Sequence, residues 1–259
     1  MVRIKRIIIA LLVIVLLIGG GIFWLKTNYV VPVLMYHFVV DSDHYVPNFV
    51  SPKNFEKQMA YLARHKFYVM RFDELIQRVN HHQGFPPKSV VITFDDGYVD
   101  NYTNAFSVLK KYHFPAIIFM PSDHIGLQGR LSLLQLQEMI ASGIDVGSHG
   151  RNHLYLPTLS LEKAKDEVFN SKRILEQRLG SPVDYFAYPQ GGFNEQIITF
   201  VKQAGYKGAC TTNRGNNRLN KDIFELKRIR LSDHDNSDFI LWLKLSGYYN
   251  SLRKNKNSD

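Results

Sequence analysis

Apolar and polar positions alternate along this chain in three distinct ways. Residues 7–25, "IIIALLVIVLLIGGGIFWL", hold no charged side chain; as a helix rising about 1.5 Å per residue they would span roughly 28 Å, the depth of a bilayer core. From Tyr29 onward, short β-type runs alternate with segments of helical period. Strands are expected at "VPVLMY", "FYVM", "VVITF", "AIIFM", "IDVGS", "YFAYP", "KGACT" and "LKRIRL". Ser51 can cap a helix with Pro52 in its first turn and Phe55, Met59, Leu62 and Ala63 on one face. Asn194 can cap another, carrying Ile197, Ile198, Val201 and Ala204, with Gly205 just past its end. Further helices are expected near 102–112, 132–142, 160–179 and 237–246. Repeated βα units predict an α/β fold with a parallel sheet, and seven or eight of them favour closure into a barrel over an open sheet. The expected organisation is a basic stub and membrane anchor at 1–28, one domain at 29–250 and a polar tail at 251–259.

With 259 residues and 45% hydrophobic content, the chain suits one domain with its own core. The net charge of +9 is concentrated at the ends: residues 1–28 carry +4 (Arg3, Lys5, Arg6, Lys26) and residues 251–259 carry +2, leaving +3 on the body. That excess is too small to point to nucleic acid, although a mildly basic surface suits an anionic envelope polymer. Arg3, Lys5 and Arg6 precede the apolar run, so the N-terminus is expected in the cytoplasm and everything after Thr27 outside. A cleaved signal peptide is the alternative, but the run exceeds a usual h-region and no A-x-A-like site follows it. A single cysteine, Cys210, excludes an intrachain disulfide and a Cys-rich zinc site; it reads as a small buried apolar residue.

Two strand ends carry candidate chemistry. "TFDDGY" places Asp95 and Asp96 together where "SVVI" ends, and reacting groups in parallel α/β folds gather at the C-terminal ends of strands. Adjacent residues on a strand point to opposite sides, so the two carboxylates can serve two tasks. Gly97 then permits a tight turn. A solvated Asp-Asp-Gly turn is the plain alternative. At a second strand end, "IDVGSHGRNHLYL" sets His149 and His153 four positions apart, in a stretch whose Gly147, Gly150 and Asn152 favour a loop over a helix. Two imidazoles and one carboxylate make a three-ligand site with positions left for water and substrate. Such a set accepts zinc, cobalt, nickel or iron.

"TFDDGY", "SHGRNH" and "FAYPQGGFN" in this order resemble the polysaccharide deacetylases, the NodB-homology carbohydrate esterases, over about residues 30–235. The resemblance implies a distorted (β/α) barrel of about seven strands and metal-dependent hydrolysis of N-acetyl groups on a glycan. It implies Asp95 as general base and Asp96, His149 and His153 as ligands of a divalent metal ion, zinc foremost. In "AYPQG" the N–H of Gln190 would face the developing oxyanion, and Tyr98, Tyr188 and Pro189 would meet the sugar, with Tyr36 and Phe193 near the motifs. Ala187 stands where the family usually has an arginine beside the base, and Arg228 is the candidate replacement. "VPVLMYHFV" resembles the opening strand of the poly-β-1,6-N-acetylglucosamine deacetylases, in which this early histidine is the general acid; that assigns His37, with His234 as the alternative. An imidazolium at His37 beside two carboxylates is expected to hold its proton near neutrality.

"DHDNSD" is not an EF-hand, because Asp238 and Lys244 stand where Gly and Glu are needed; it reads as a capping turn. The expected protein is a single-pass, membrane-anchored enzyme facing outward, acting on a cell-surface N-acetylglucosamine polymer: a poly-β-1,6-N-acetylglucosamine-type exopolysaccharide, with peptidoglycan as the alternative. An O-acetyl esterase and a non-catalytic glycan-binding protein are the readings from other classes.

Overall fold

The computed structural model describes residues 2–42, 48–254 and 256–257, the side chains of 2–4, 7–10 and 252 aside; Arg3 lies outside the described side chains. Helix α1 (Val2–Asn28) is followed by a parallel sheet whose main path has eight strands: β1 (Val33–Tyr36), β2 (Ser89–Asp95), β3 (Ile117–Met120), β4 (Asp145–Ser148), β5 (Tyr185–Ala187), β6 (Gly208–Thr211), β7 (Leu226–Lys227) and β8 (Ile229–Arg230). Their order is β7-β6-β5-β4-β3-β2-β1-β8. Strands β7 and β8 are successive halves of one segment: Leu226 pairs with Cys210 on one side and Ile229 with Leu34 on the other. That segment nearly closes a barrel. The about seven strands expected thus become eight because one stave is split at Arg228. "FYVM" contributes only a two-residue strand, Tyr68–Val69, beside β2 and off the main path.

Period-two alternation sorts the strand residues into two clusters. Leu34, Tyr36, Ile92, Phe94, Ile118 and Phe186 pack with the surrounding helices. Val33, Val91, Ile117, Phe119, Ala187, Cys210 and Leu226 form the second cluster. Helix Phe72–Asn80, not among the expected helices, inserts Phe72, Leu75 and Ile76 into that second cluster. Thr93 and Asp95 continue the phase of Val91, and Arg228 continues that of Leu226, so the polar groups sit in line with the second cluster.

Helix ends follow local chemistry. Ser51 accepts the Asn54 N–H at the start of Pro52–Arg64, and Asn194 accepts the Ile197 N–H at the start of Glu195–Gln203. Tyr61 is buried on the first of these helices and Ala63 is exposed, because the face that meets the sheet is rotated from the one expected. Ser237 caps Asp238–Leu245. One described helix is long and apolar enough to cross a membrane, with Leu11–Asn28 having a mean hydropathy of 1.9 and none of it buried. Trp24 stacks on Tyr248 at 5.9 Å, and Val30 bonds the Gly247 carbonyl, so the chain enters β1 from this side. Instead of standing free, part of the expected polar tail runs along 213–215: the Lys256 N–H bonds Asn213 O (3.2 Å) and the Gly215 N–H bonds Lys256 O (3.1 Å). Residues 255, 258 and 259 of that tail lie outside the described residues.

Candidate active site

A cavity of about 370 Å³ opens at the C-terminal ends of the strands, and His37, Asp95, Asp96, His149, His153 and Arg228 are on its wall. Strand β2 ends at Asp95; Asp96 follows with φ +70° and Gly97 with φ +61°. This left-handed turn, rather than alternation on a strand, separates the two carboxylates, and both face the same cavity. A Cβ on Gly97 would stand 2.0 Å from the Met120 sulfur, so the turn needs glycine for space as well as for φ.

Asp96 lies against the histidine pair. His153 Nε2 is 3.2 Å and His149 Nε2 3.7 Å from Asp96 Oδ1, and the two rings meet edge-on at 4.8 Å. One donor atom from each of the three residues falls within 4.8 Å of the others. His149 Nδ1 is 2.6 Å from the Ala187 carbonyl. A carbonyl can only accept, so Nδ1 carries the proton and the Nε2 lone pair is left for a cation. Burial pushes the His149 imidazole down to about 4, which keeps it neutral, the form that binds a metal. Two imidazoles and one carboxylate at this spacing fit a divalent cation of the zinc type.

The loop carrying the histidines is held from helix Leu161–Leu179. Glu167, buried, accepts the Arg151 N–H (2.8 Å), the Asn152 N–H (3.0 Å) and the Asn152 Nδ2 amide (3.1 Å). Arg151 bonds Asp123 and Asp166. These contacts fix His153 at φ +57°, a left-handed conformation that needs support from its surroundings. Arg130 Nη1 similarly holds the Asp96 carbonyl at 2.8 Å. Neither Glu167 nor Arg130 was singled out from the sequence. The available signal was a glutamate in phase with Ala164, Val168, Ser171 and Leu175 on the buried face of its helix.

Asp95 meets Arg228 in a bidentate pair, Nη1 to Oδ1 and Nη2 to Oδ2, both 2.6 Å; Nη1 also bonds Thr93 Oγ1 (3.0 Å) and Nε the Thr211 carbonyl (3.1 Å). Burial alone would raise the Asp95 carboxyl, but Arg228, His149 and His37 together hold it well below the usual carboxylate range. His37 Nε2 is 3.8 Å from Asp95 Oδ2. The expectation that His37 holds its proton as an imidazolium is not met: burial lowers its pKa and outweighs the attraction of Asp95 and Asp96. Asn101 Nδ2 bonds the His37 carbonyl (2.7 Å), and His37 Nδ1 is buried without a hydrogen-bond partner among the described residues. His234 is exposed and off this wall.

Gln190 lines the cavity at φ +54°. Tyr188 borders it but is itself fully buried in the core, its hydroxyl without a partner among the described residues. Tyr98 and Pro189, expected to meet the sugar, are not on the wall. Tyr98 is sandwiched between Phe38 (3.7 Å) and the Arg130 guanidinium (4.0 Å), and its phenol is pushed up to about 12 by burial and then by Asp96. Pro189 is buried. Tyr36, whose hydroxyl bonds Gln58, and Phe193 belong to the core.

Comparison with known proteins places this geometry. Residues 82–209 match the family described as Polysaccharide deacetylase. The poly-β-1,6-N-acetyl-D-glucosamine N-deacetylase of Staphylococcus epidermidis is 31% identical over 199 residues, covering 71% of this chain and 68% of that protein. Among solved structures, the Streptococcus pyogenes deacetylase PplD in complex with acetate aligns with a TM-score of 0.73 at 28% identity over 78% of this chain and 92% of that one. IcaB from Ammonifex degensii aligns with a TM-score of 0.73 at 25% identity, over 83% and 97%.

Proposed function

The chain belongs to the polysaccharide deacetylase family, and from that premise we propose that it is an anchored, outward-facing N-deacetylase of a cell-surface N-acetylglucosamine polymer. The observation that carries this reading is the convergence in one cavity of Asp96, His149 and His153 with the Asp95–Arg228 pair beside them. A divalent cation held by the first three would polarise the acetamide carbonyl and acidify a water molecule. Zinc suits the donor set, as do cobalt, nickel and iron.

The chain's own residues supply the remainder. Asp95 stays anionic through Arg228 and accepts a proton from the attacking water. Arg228 holds both carboxylate oxygens, so the base keeps one orientation. The Gln190 N–H has no acceptor among the described residues and is the donor for the oxyanion of the tetrahedral state. His37 Nε2, 3.8 Å from Asp95 Oδ2, gives the proton a short path from the carboxylate to the departing amine. Helix Val2–Asn28 serves as the membrane anchor, residues 29–250 as the catalytic domain.

Similarity to the poly-β-1,6-N-acetyl-D-glucosamine N-deacetylase of Staphylococcus epidermidis favours a β-1,6-linked exopolysaccharide as the polymer, with peptidoglycan as the second reading. Oligomers of β-1,6- and β-1,4-linked N-acetylglucosamine, incubated with metal-loaded protein while free amine and acetate are quantified, test both. Amine release with a β-1,6 preference is expected; a β-1,4 preference would move the substrate to the wall. Acetate without amine, on an O-acetylated glycan, would replace the deacetylase with an esterase.

A further inference from the structure

The cavity wall carries more positive charge than the hydrolysis requires. Of its two carboxylates, Asp95 is paired with Arg228, and Asp96 belongs with His149 and His153 to the set that would hold the metal. Arg214, Arg230, Arg253 and Lys256 stand on the same wall. Among the described residues Arg230, Arg253 and Lys256 form no ion pair. Arg230 Nη1 bonds the neutral Asn48 Oδ1 (2.6 Å) and Arg253 Nη1 the Arg228 carbonyl (3.3 Å), contacts that orient the guanidinium groups without cancelling their charge. Lys256 is brought there by the backbone bonds between the C-terminal segment and 213–215. Three separate stretches of chain thus deliver cations to one wall. The guanidinium of Arg253 is shifted downward by burial and by the nearby Arg230, so these like charges repel one another and an anion between them would relieve that repulsion.

A neutral N-acetylglucosamine chain offers nothing for these cations to pair with, and its deacetylated product, an ammonium, would be repelled. We propose that the substrate is an N-acetylglucosamine glycan bearing carboxylate or phosphodiester groups close to the sugar that is deacetylated, and that Arg230, Arg253 and Lys256, with Arg214, hold those anions. This rests on the deacetylase reading and narrows its substrate. Guanidinium groups match both anions bidentately, and Lys256 adds a point charge at the rim. The acetamide would then lie over Asp96, His149 and His153 while the anion anchors a neighbouring sugar.

The test compares N-acetylglucosamine oligomers of one length and linkage in three forms: neutral, carboxymethylated on free hydroxyls, and bearing methyl phosphodiesters on the same hydroxyls. Kd is measured for metal-loaded, full-length Asp95→Asn protein in detergent, and amine release for the wild type. The charged oligomers are expected to bind at least about tenfold more tightly at low salt, with the gap shrinking as ionic strength rises. The tighter of the two names the group recognised. Arg253→Gln/Lys256→Gln, made in the same background, should bring the charged-to-neutral Kd ratio toward one, and Arg253→Lys should keep most of it. Equal Kd for charged and neutral oligomers, or a ratio untouched by the double substitution, would overturn the proposal. Absence of amine from every oligomer would instead count against the deacetylase reading, while the Kd comparison still decides what the wall recognises.

Discussion

Arg228 and Asp95, 133 positions apart in the chain, form a two-point ion pair with both N···O distances at 2.6 Å and both side chains buried. The pair exists because the last stave of the barrel is interrupted at Arg228, between a strand that joins β6 and a strand that joins β1. Its guanidinium is therefore aimed at the end of β2. Ala187 is in the second core cluster and supplies only its carbonyl, to His149.

Arg228→Gln should leave a buried carboxylate without its partner. A stability loss of about 3–5 kcal/mol is expected in denaturant unfolding near neutral pH. Because the folded-state pKa of Asp95 lies below its unfolded value, the wild-type pair contributes fully above the unfolded pKa near 4 and the contribution is lost as pH falls through the folded value. In the variant, burial acts unopposed by Arg228 and raises the carboxyl, so the acid limb of the pH–rate profile should move upward while turnover falls about a hundredfold. A limb that stays in place would exclude this role for the arginine.

Glu167→Ala should weaken metal binding without touching a ligand. It removes the acceptor of the Arg151 and Asn152 N–H groups that seat His153, and the dissociation constant for zinc should rise about 10- to 100-fold by titration. Unchanged affinity would show that the loop holds its shape unaided.

Gly97→Ala should be costly for two reasons: φ is +61°, and the new methyl would meet the Met120 sulfur. A loss of about 2–4 kcal/mol is expected, together with lower activity as Asp96 is displaced. Thermal unfolding and amine release read the two effects separately.

Cys210 should resist alkylation while the protein is folded. It is fully buried and burial pushes its thiol up to about 12, leaving almost no thiolate at pH 8. Mass spectrometry after iodoacetamide should show modification only once denaturant is added; rapid labelling of the native protein would contradict the packing of β6.

Much of this was legible in the chain. Hydrophobic alternation located the main strands, Ser51 and Asn194 marked helix starts because their side chains accept the N–H three residues on, and the turn read in "DHDNSD" caps its helix through Ser237. Helix Phe72–Asn80 escaped because Arg71, at its N-cap, offers no acceptor, although Phe72, Leu75 and Ile76 had helical spacing. The placement of Asp96 was misread because a left-handed backbone takes it off the strand. Tyr98 was misjudged because an aromatic beside a motif can be consumed by stacking, here on Phe38 and Arg130. The cationic wall depends on the C-terminal segment lying along 213–215, a long-range pairing that no local pattern announces.

The central claim, that Asp96, His149 and His153 hold a metal beside a catalytic Asp95, is tested most directly by one experiment. The full-length protein is stripped of metal, reloaded with zinc or cobalt, and assayed for amine release from N-acetylglucosamine oligomers beside Asp95→Asn. Expected is release that vanishes on stripping and returns on reloading, and that falls by about a thousandfold in Asp95→Asn while that variant still binds one equivalent of metal. Amine release that survives removal of the metal, or that persists in Asp95→Asn, would contradict the account.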